Sequence, residues 1–454
     1  MKKIQDFQPF NQWNPSYPEE FRPIDLRPFD APFEVLAKWY RWMADQGFAW
    51  AQSSLANCYL KGLGVVFQDY SEAIRWYRLA AEKGQAKAQN ALGAMYEHGM
   101  GIQQDWKEAV KWYHKAAEKG FNLAKSNLGA MYYEGKGVSQ DYTEAVKWFN
   151  LAAKKGIAVA QNNLGVAYHQ GNGVPQDQME AAKWYRLSAK RGYADAQYAL
   201  GMMYLNIDGN GISQDHKRAI KWLRLAAKQG DLRAHYNLGV MYYQGDGVPQ
   251  DYSEAVKWYQ QAAMQDFHLA RQNIGMMYER GEGLPQDYEK AAKWFSLTAA
   301  QGLREGQFKL GDMYEHGKGV LQDWKEAEKW YRLAAEQGYA AAQHNLGVMY
   351  ERGNGVPQDW EEAEKWYRLA AKQGYTEAQF KLAITYSSGQ DMPQDNIEAH
   401  MWLNSVSSDL LDDLSSTISS ETSPRVKKLF SRTLSGAGLR GISRLVRGMI
   451  SPIK

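Results

Sequence analysis

The chain has 454 residues, with 54 Lys+Arg against 51 Asp+Glu, and its formal charge of +3 excludes a polycation built to bind nucleic acid along its whole length. Its lone cysteine, Cys58, leaves no intramolecular disulfide framework and fits a reducing compartment. The opening Met1-Lys2-Lys3-Ile4 runs into polar residues, aromatics and prolines with no apolar leader segment, and no stretch reaches the roughly 18 apolar residues of a spanning helix. A cytoplasmic chain, peripheral to a membrane at most, is the expectation.

Residues 1–32 place Pro9, Pro15, Pro18, Pro23, Pro28 and Pro32 among Phe7, Phe10, Trp13, Tyr17, Phe21 and Phe29, a composition that resists helix but offers apolar anchors. An extended segment covering the next helix is expected, and a partner-binding arm is the other reading. Residues 33–47, with Lys38-Trp39-Tyr40, predict a capping helix that opens the array.

From 48 to 408 the chain repeats. Tryptophan recurs at 76, 112, 148, 184, 222, 258, 294, 330, 366 and 402, and Gln-Asp begins at 68, 104, 140, 176, 214, 250, 286, 322, 358 and 394, in steps of 36 with one step of 38. Ten units follow, and the long step comes from a loop insertion at 204–211 that spares the helices. In one unit Ala88, Leu92, Met95 and Tyr96 fall at three- and four-residue steps, predicting helix A, and Gly99 and Gly101 end it. Helix B starts at Asp105, with Glu108 expected to complete an Asp-x-x-Glu capping box; eight of ten units keep that acid, and Arg218 and Lys290 replace it in the others. In the preceding unit, Ala73, Trp76, Tyr77, Ala80 and Ala81 form an apolar stripe, which places the repeated tryptophan in the core, before Gly84 stops the helix. The short link to the next helix A makes successive helices antiparallel.

Past the repeats, residues 409–423 predict the end of a closing helix with Leu410, Leu411 and Leu414, then a Ser-rich linker. Residues 424–454 carry Arg425, Lys427, Lys428, Arg432, Arg440, Arg444, Arg447 and Lys454 and no acid. Leu439, Ile442, Val446, Met449 and Ile450 gather opposite Arg440, Arg444 and Arg447 on a helical wheel, as in a segment that folds on an anionic membrane or in a partner groove. Four glycines in this stretch weaken such a helix in water.

No catalytic constellation emerges. The Gly-x-Gly turns, such as Gly135-Lys136-Gly137, lack the strand and Gly-Lys-Ser/Thr of a phosphate loop. The nine histidines form no HExxH or Cys-His cluster, and Ser451-x-x-Lys454 stands at a proline-bearing chain end unsuited to a preorganised nucleophile. No metal, cofactor or catalytic residue is assigned, and a non-enzymatic chain is expected.

The unit Ala86-x-Ala88-Gln89-x-x-Leu92-Gly93-x-Met95-Tyr96-x-x-Gly99-x-Gly101-Ile102-x-Gln104-Asp105-x-x-Glu108-Ala109-x-x-Trp112-Tyr113-x-x-Ala116-Ala117-x-x-Gly120 resembles the Sel1-like repeat, a relative of the tetratricopeptide repeat. The resemblance implies an all-α fold, a right-handed α/α superhelical solenoid of about ten helix pairs, and a scaffolding role in protein complexes. It also implies that helix A lines the concave wall, with the site two residues before the Leu-Gly leucine facing a groove. That site reads Ser53, Asn90, Ser126, Asn162, Tyr198, Tyr236, Gln272, Phe308, His344 and Phe380, with Asp195, Arg233 and Glu305 nearby. Exposed aromatics beside polar groups are the composition of an interaction hot spot. The expected function is therefore an adaptor that holds a peptide or helix of another protein in this groove. The alternative is a peripheral membrane-associated or host-directed effector localised by Arg425, Lys427, Lys428, Arg432, Arg440, Arg444 and Arg447.

Overall fold

Two signals per repeat break the chain into hairpins, and both act in the computed structural model, which describes residues 33–64, 67–205, 213–388 and 395–405. The expectations for residues 1–32, most of the insertion, and 409–454 with its basic tail lie outside the described residues. Within them the structure is helical, with no strand.

The first unit, Met1–Gln229, opens with α1 (Phe33–Asp45). Its hairpins are α2–α3 (Ala49–Lys61, Tyr70–Glu82), α4–α5 (Ala86–His98, Trp106–Glu118), α6–α7 (Asn122–Glu134, Tyr142–Ala153), α8–α9 (Ala158–Gln170, Gln178–Lys190) and α10–α11 (Ala194–Leu205, His216–Lys228). The second unit, Gly230–Lys454, holds α12–α13 (Leu232–Gln244, Tyr252–Ala263), α14–α15 (His268–Arg280, Tyr288–Ala300), α16–α17 (Arg304–His316, Trp324–Glu336), α18–α19 (Ala340–Arg352, Trp360–Lys372) and α20–α21 (Thr376–Ser388, Asn396–Ser405). In each unit every helix packs on the next one in the chain.

The Gln-Asp dipeptide joins the two helices of a hairpin by serving both. Gln104 Nε2 donates to the Glu97 carbonyl at 2.7 Å, satisfying the end of helix A. Asp105 Oδ1 accepts from the backbone N–H groups of Lys107 and Glu108 at 2.9 and 3.0 Å, starting helix B. The expected capping box does not close. The Asp105 N–H already donates to the Tyr96 carbonyl at 3.0 Å, so Glu108 turns outward to Lys111 Nζ at 2.5 Å. In the turn itself, Gly99 takes φ 67°, the left-handed conformation that ends a helix. A Cβ on the second glycine of the next turn, Gly137, would fall 2.3 Å from the Trp106 carbonyl oxygen, so that glycine lets the turn press on the previous repeat.

The core residue of helix B is the one after the tryptophan. Tyr113, Phe149, Tyr185, Tyr259, Phe295 and Tyr331 are fully buried, and their rings explain the Leu-Gly pair, since a Cβ on Gly93 would lie 2.8 Å from the Tyr113 ring. Trp76 is buried at 3 % exposure, as expected of the core. The other repeat tryptophans are half-buried, a correction whose cause is position: they lie on the seam between repeats. Trp148, Trp184, Trp294, Trp330 and Trp366 each pack against the apolar cluster that joins helix B of the preceding hairpin to helix A of their own. A second link crosses the same seams: Gln89 Nε2 donates to the Ala81 carbonyl at 3.0 Å, and Gln161, Gln197, Gln343 and Gln379 repeat the bond. In one repeat Arg271 replaces that glutamine. It donates to the Ala263 carbonyl at 3.2 Å and pairs with Asp266, which holds φ 65° where the equivalent turns have glycine.

Candidate partner-binding row

The row two residues before the Leu-Gly leucine is set by helix A register, so each hairpin contributes one side chain. In the first unit these side chains are enclosed. Asn90 and Asn162 are buried on α4 and α8, and Tyr198 is buried on α10, with 2, 6 and 8 % exposure. Asn90 Oδ1 accepts from Asn127 Nδ2 of the following repeat at 3.0 Å, and Asn162 Nδ2 donates to Asn163 Oδ1 at 3.5 Å. Asp195, three residues before Tyr198, is half-buried.

The second unit leaves the row more open. Tyr236, Gln272, Phe308, His344 and Phe380 are all half-buried. Tyr236 is gripped between Tyr259 and Phe267, with ring centroids 5.8 and 5.4 Å away. Phe308 sits likewise between Tyr331 and Tyr339 at 5.6 and 5.2 Å, and His344 between Tyr367 and Tyr375 at 5.4 and 5.3 Å. Gln272 Oε1 accepts from the Thr298 hydroxyl at 3.3 Å. The expected exposure of the row is thus reduced in both units. In the second, Tyr236, Phe308 and His344 each wedge between their own hairpin's helix B and the residue that opens the next helix A. Arg233 is held by Asp231 Oδ2 at 2.5 Å, and Glu305 by Arg304 at 3.4 Å.

Burial and charge tune the titratable members. Desolvation holds His344 below the ordinary imidazole value, and burial pushes Tyr236, Tyr339 and Tyr375 up. The adjoining carboxylates accept from phenols: Tyr331 donates to Glu315 at 2.6 Å and Tyr367 to Glu351 at 2.5 Å, which raises both phenols further. Elsewhere, burial pushes the Cys58 thiol up to about 11, the mark of an inert structural cysteine. Among the described residues no three His, Cys, Asp or Glu side chains converge as metal ligands would.

A neighbouring column escaped the sequence reading. One residue nearer the leucine stand Asn127, Asn237, Asn273, Lys309, Asn345 and Lys381, all half-buried. Lys309 Nζ pairs with Glu279 at 2.9 Å and Lys381 Nζ with Glu351 at 2.6 Å, both across a repeat boundary. The recurrence of a lysine 30 residues after a glutamate is the signal that marks these pairs.

Tandem hairpins, each buried against its neighbours within a unit, make this an all-α solenoid repeat protein. The Sel1 repeat pattern matches ten consecutive segments, 51–85, 86–121, 123–157, 158–193, 194–231, 232–267, 268–303, 304–339, 340–375 and 376–405, and the chain belongs to the Sel1 repeat family. It is similar to a protective antigen of uropathogenic Escherichia coli strains displaying an SLR fold, at 31% identity and TM-score 0.57, over 92% of this chain and 98% of that one. It is also similar to a Sel1 repeat protein from Oxalobacter formigenes, at 33% identity and TM-score 0.53, over 71% of this chain and 95% of that one. No curated protein matches the chain.

Proposed function

We propose that the chain is a non-enzymatic adaptor whose helix A row holds a peptide or helix of a partner protein. Sel1 repeat proteins generally act as protein-interaction scaffolds. The observation that supports it most is the ring row of the second unit. Tyr236, Phe308 and His344 are clamped between two aromatic neighbours yet keep part of their surface open. Rings already fixed in place lose little rotamer freedom on binding, which is what makes an aromatic an efficient anchor. Beside them Asn237, Asn273 and Asn345 supply side-chain amides that both donate and accept.

Photo-crosslinking tests the assignment. A benzoylphenylalanine placed at Gln272 is expected to capture a partner protein in cells, whereas the same group at Leu333, exposed on α17, is not. Capture from Leu333 alone refutes the row.

A further inference from the structure

We propose that the outer face of α9 and α11 in the first unit is a docking surface for an anionic phospholipid bilayer, independent of the helix A row. Both helices pack on α10. On α11, Lys217, Lys221, Arg224 and Lys228 fall at helical steps of four, three and four, one unbroken line along the helix. The same line on α9 reads Met179, Lys183, Arg186 and Lys190.

The line on α11 is depleted of acids at the point where the repeat supplies one. In six other repeats the lysine before the tryptophan is partnered by the glutamate three residues back, as in Lys147–Glu144 at 2.8 Å and Lys183–Glu180 at 2.7 Å; α15 also replaces that glutamate, with Lys290, but keeps Glu289 beside it. In α11 that glutamate is Arg218, which pairs with the capping Asp215 at 3.2 Å. Among the described residues, Lys217, Lys221 and Lys228 are exposed with no carboxylate partner. A cation in the first turn also works against the helix dipole, so α11 keeps its charge at the expense of local stability, the kind of broken local rule that marks function.

Apolar side chains stand beside the cations. Leu187 is 46 %, Leu225 38 % and Met179 57 % exposed. A nucleic acid backbone offers such groups nothing, whereas the boundary between headgroups and acyl chains accepts leucine and methionine while the phosphates meet lysine and arginine. Flexible, unpaired lysines also suit a fluid surface better than the fixed donors a rigid protein partner requires.

Vesicle co-sedimentation of the full chain tests the surface. Binding is expected to phosphatidylcholine vesicles containing roughly 30 % phosphatidylglycerol, to weaken as salt rises, and to be absent on phosphatidylcholine alone. The combined K217E, K221E and K228E variant should lose about a hundredfold or more in affinity. L187S with L225S should weaken binding at unchanged charge, and circular dichroism should show both variants folded. A tail variant, R440E with R444E and R447E, should keep the part of the binding that depends on α11. The proposal is overturned if the wild type ignores anionic vesicles, if the triple lysine variant binds as the wild type does, or if the lysines matter only for binding duplex DNA or an acidic peptide.

Discussion

His344 occupies the position that Asn90 and Asn162 hold in the first unit, and the exchange carries a proton-linked cost. Its imidazole is desolvated between Tyr367 and Tyr375; Lys381 lowers its proton affinity further, while Glu377 and Glu351 oppose the shift. A histidine held below its ordinary value binds fewer protons folded than unfolded. Its contribution to stability is therefore complete above the unfolded value, about 6.5, and is lost as pH falls through the lower folded one. Comparing melting temperatures at about pH 7.5 and about pH 5 should show a smaller acid-induced drop in His344→Asn than in the wild type. An equal drop would remove His344 as a source of acid sensitivity.

At the scale of the helix, the N-cap aspartate and the glutamate after it carry unequal loads. Asp323 accepts from the backbone N–H groups of Lys325 and Glu326 at 2.9 and 3.1 Å, while Glu326 meets only Lys329 at 3.1 Å on an exposed surface. Asp323→Ala should cost about 1 kcal/mol in denaturant unfolding, and Glu326→Ala less than about 0.5 kcal/mol. Equal costs would mean that the glutamate supports the cap after all. This asymmetry also shows what was legible beforehand. The helices, their glycine stops and the capping aspartates follow from local spacing, and the structure places them at Gly99, Asp105 and their equivalents. The open capping box was hidden because the Asp105 N–H is claimed by Tyr96, a bond that local motif chemistry does not anticipate. Half-buried tryptophans and partly enclosed row residues were hidden for a related reason. Phe267, Tyr339 and Tyr375 stand at the start of the following helix A, and a hairpin read alone does not show what the next one covers.

Across the whole molecule the repeats share one architecture and differ in charge. Helix α11 sets Lys217, Arg218, Lys221, Arg224 and Lys228 against the lone capping acid Asp215, whereas α19 carries Glu361, Glu362 and Glu364 among its cations. Similar scaffolds thus carry unlike surfaces along one chain. Because each hairpin is buried mainly by its neighbours, removal of a full repeat should be tolerated where removal of half a repeat is not. Deleting residues 304–339 should leave a cooperative melt with helical circular dichroism reduced in proportion to length, whereas deleting 304–321 should abolish cooperativity in the second unit. Loss of the cooperative melt in both would show that the repeats are not interchangeable.

The tryptophan seats have a consequence for how such a gene changes. Trp330 rests on the cluster built by Phe295, and Trp366 on the one built by Tyr331, so a duplicated stretch of one period arrives with its own plug and presents a fresh socket to whatever follows. In-frame duplication or loss by recombination between copies then leaves no unfilled socket at the junction. Length can drift over generations while each internal joint stays sealed, which frees the outward-facing side chains to diverge copy by copy.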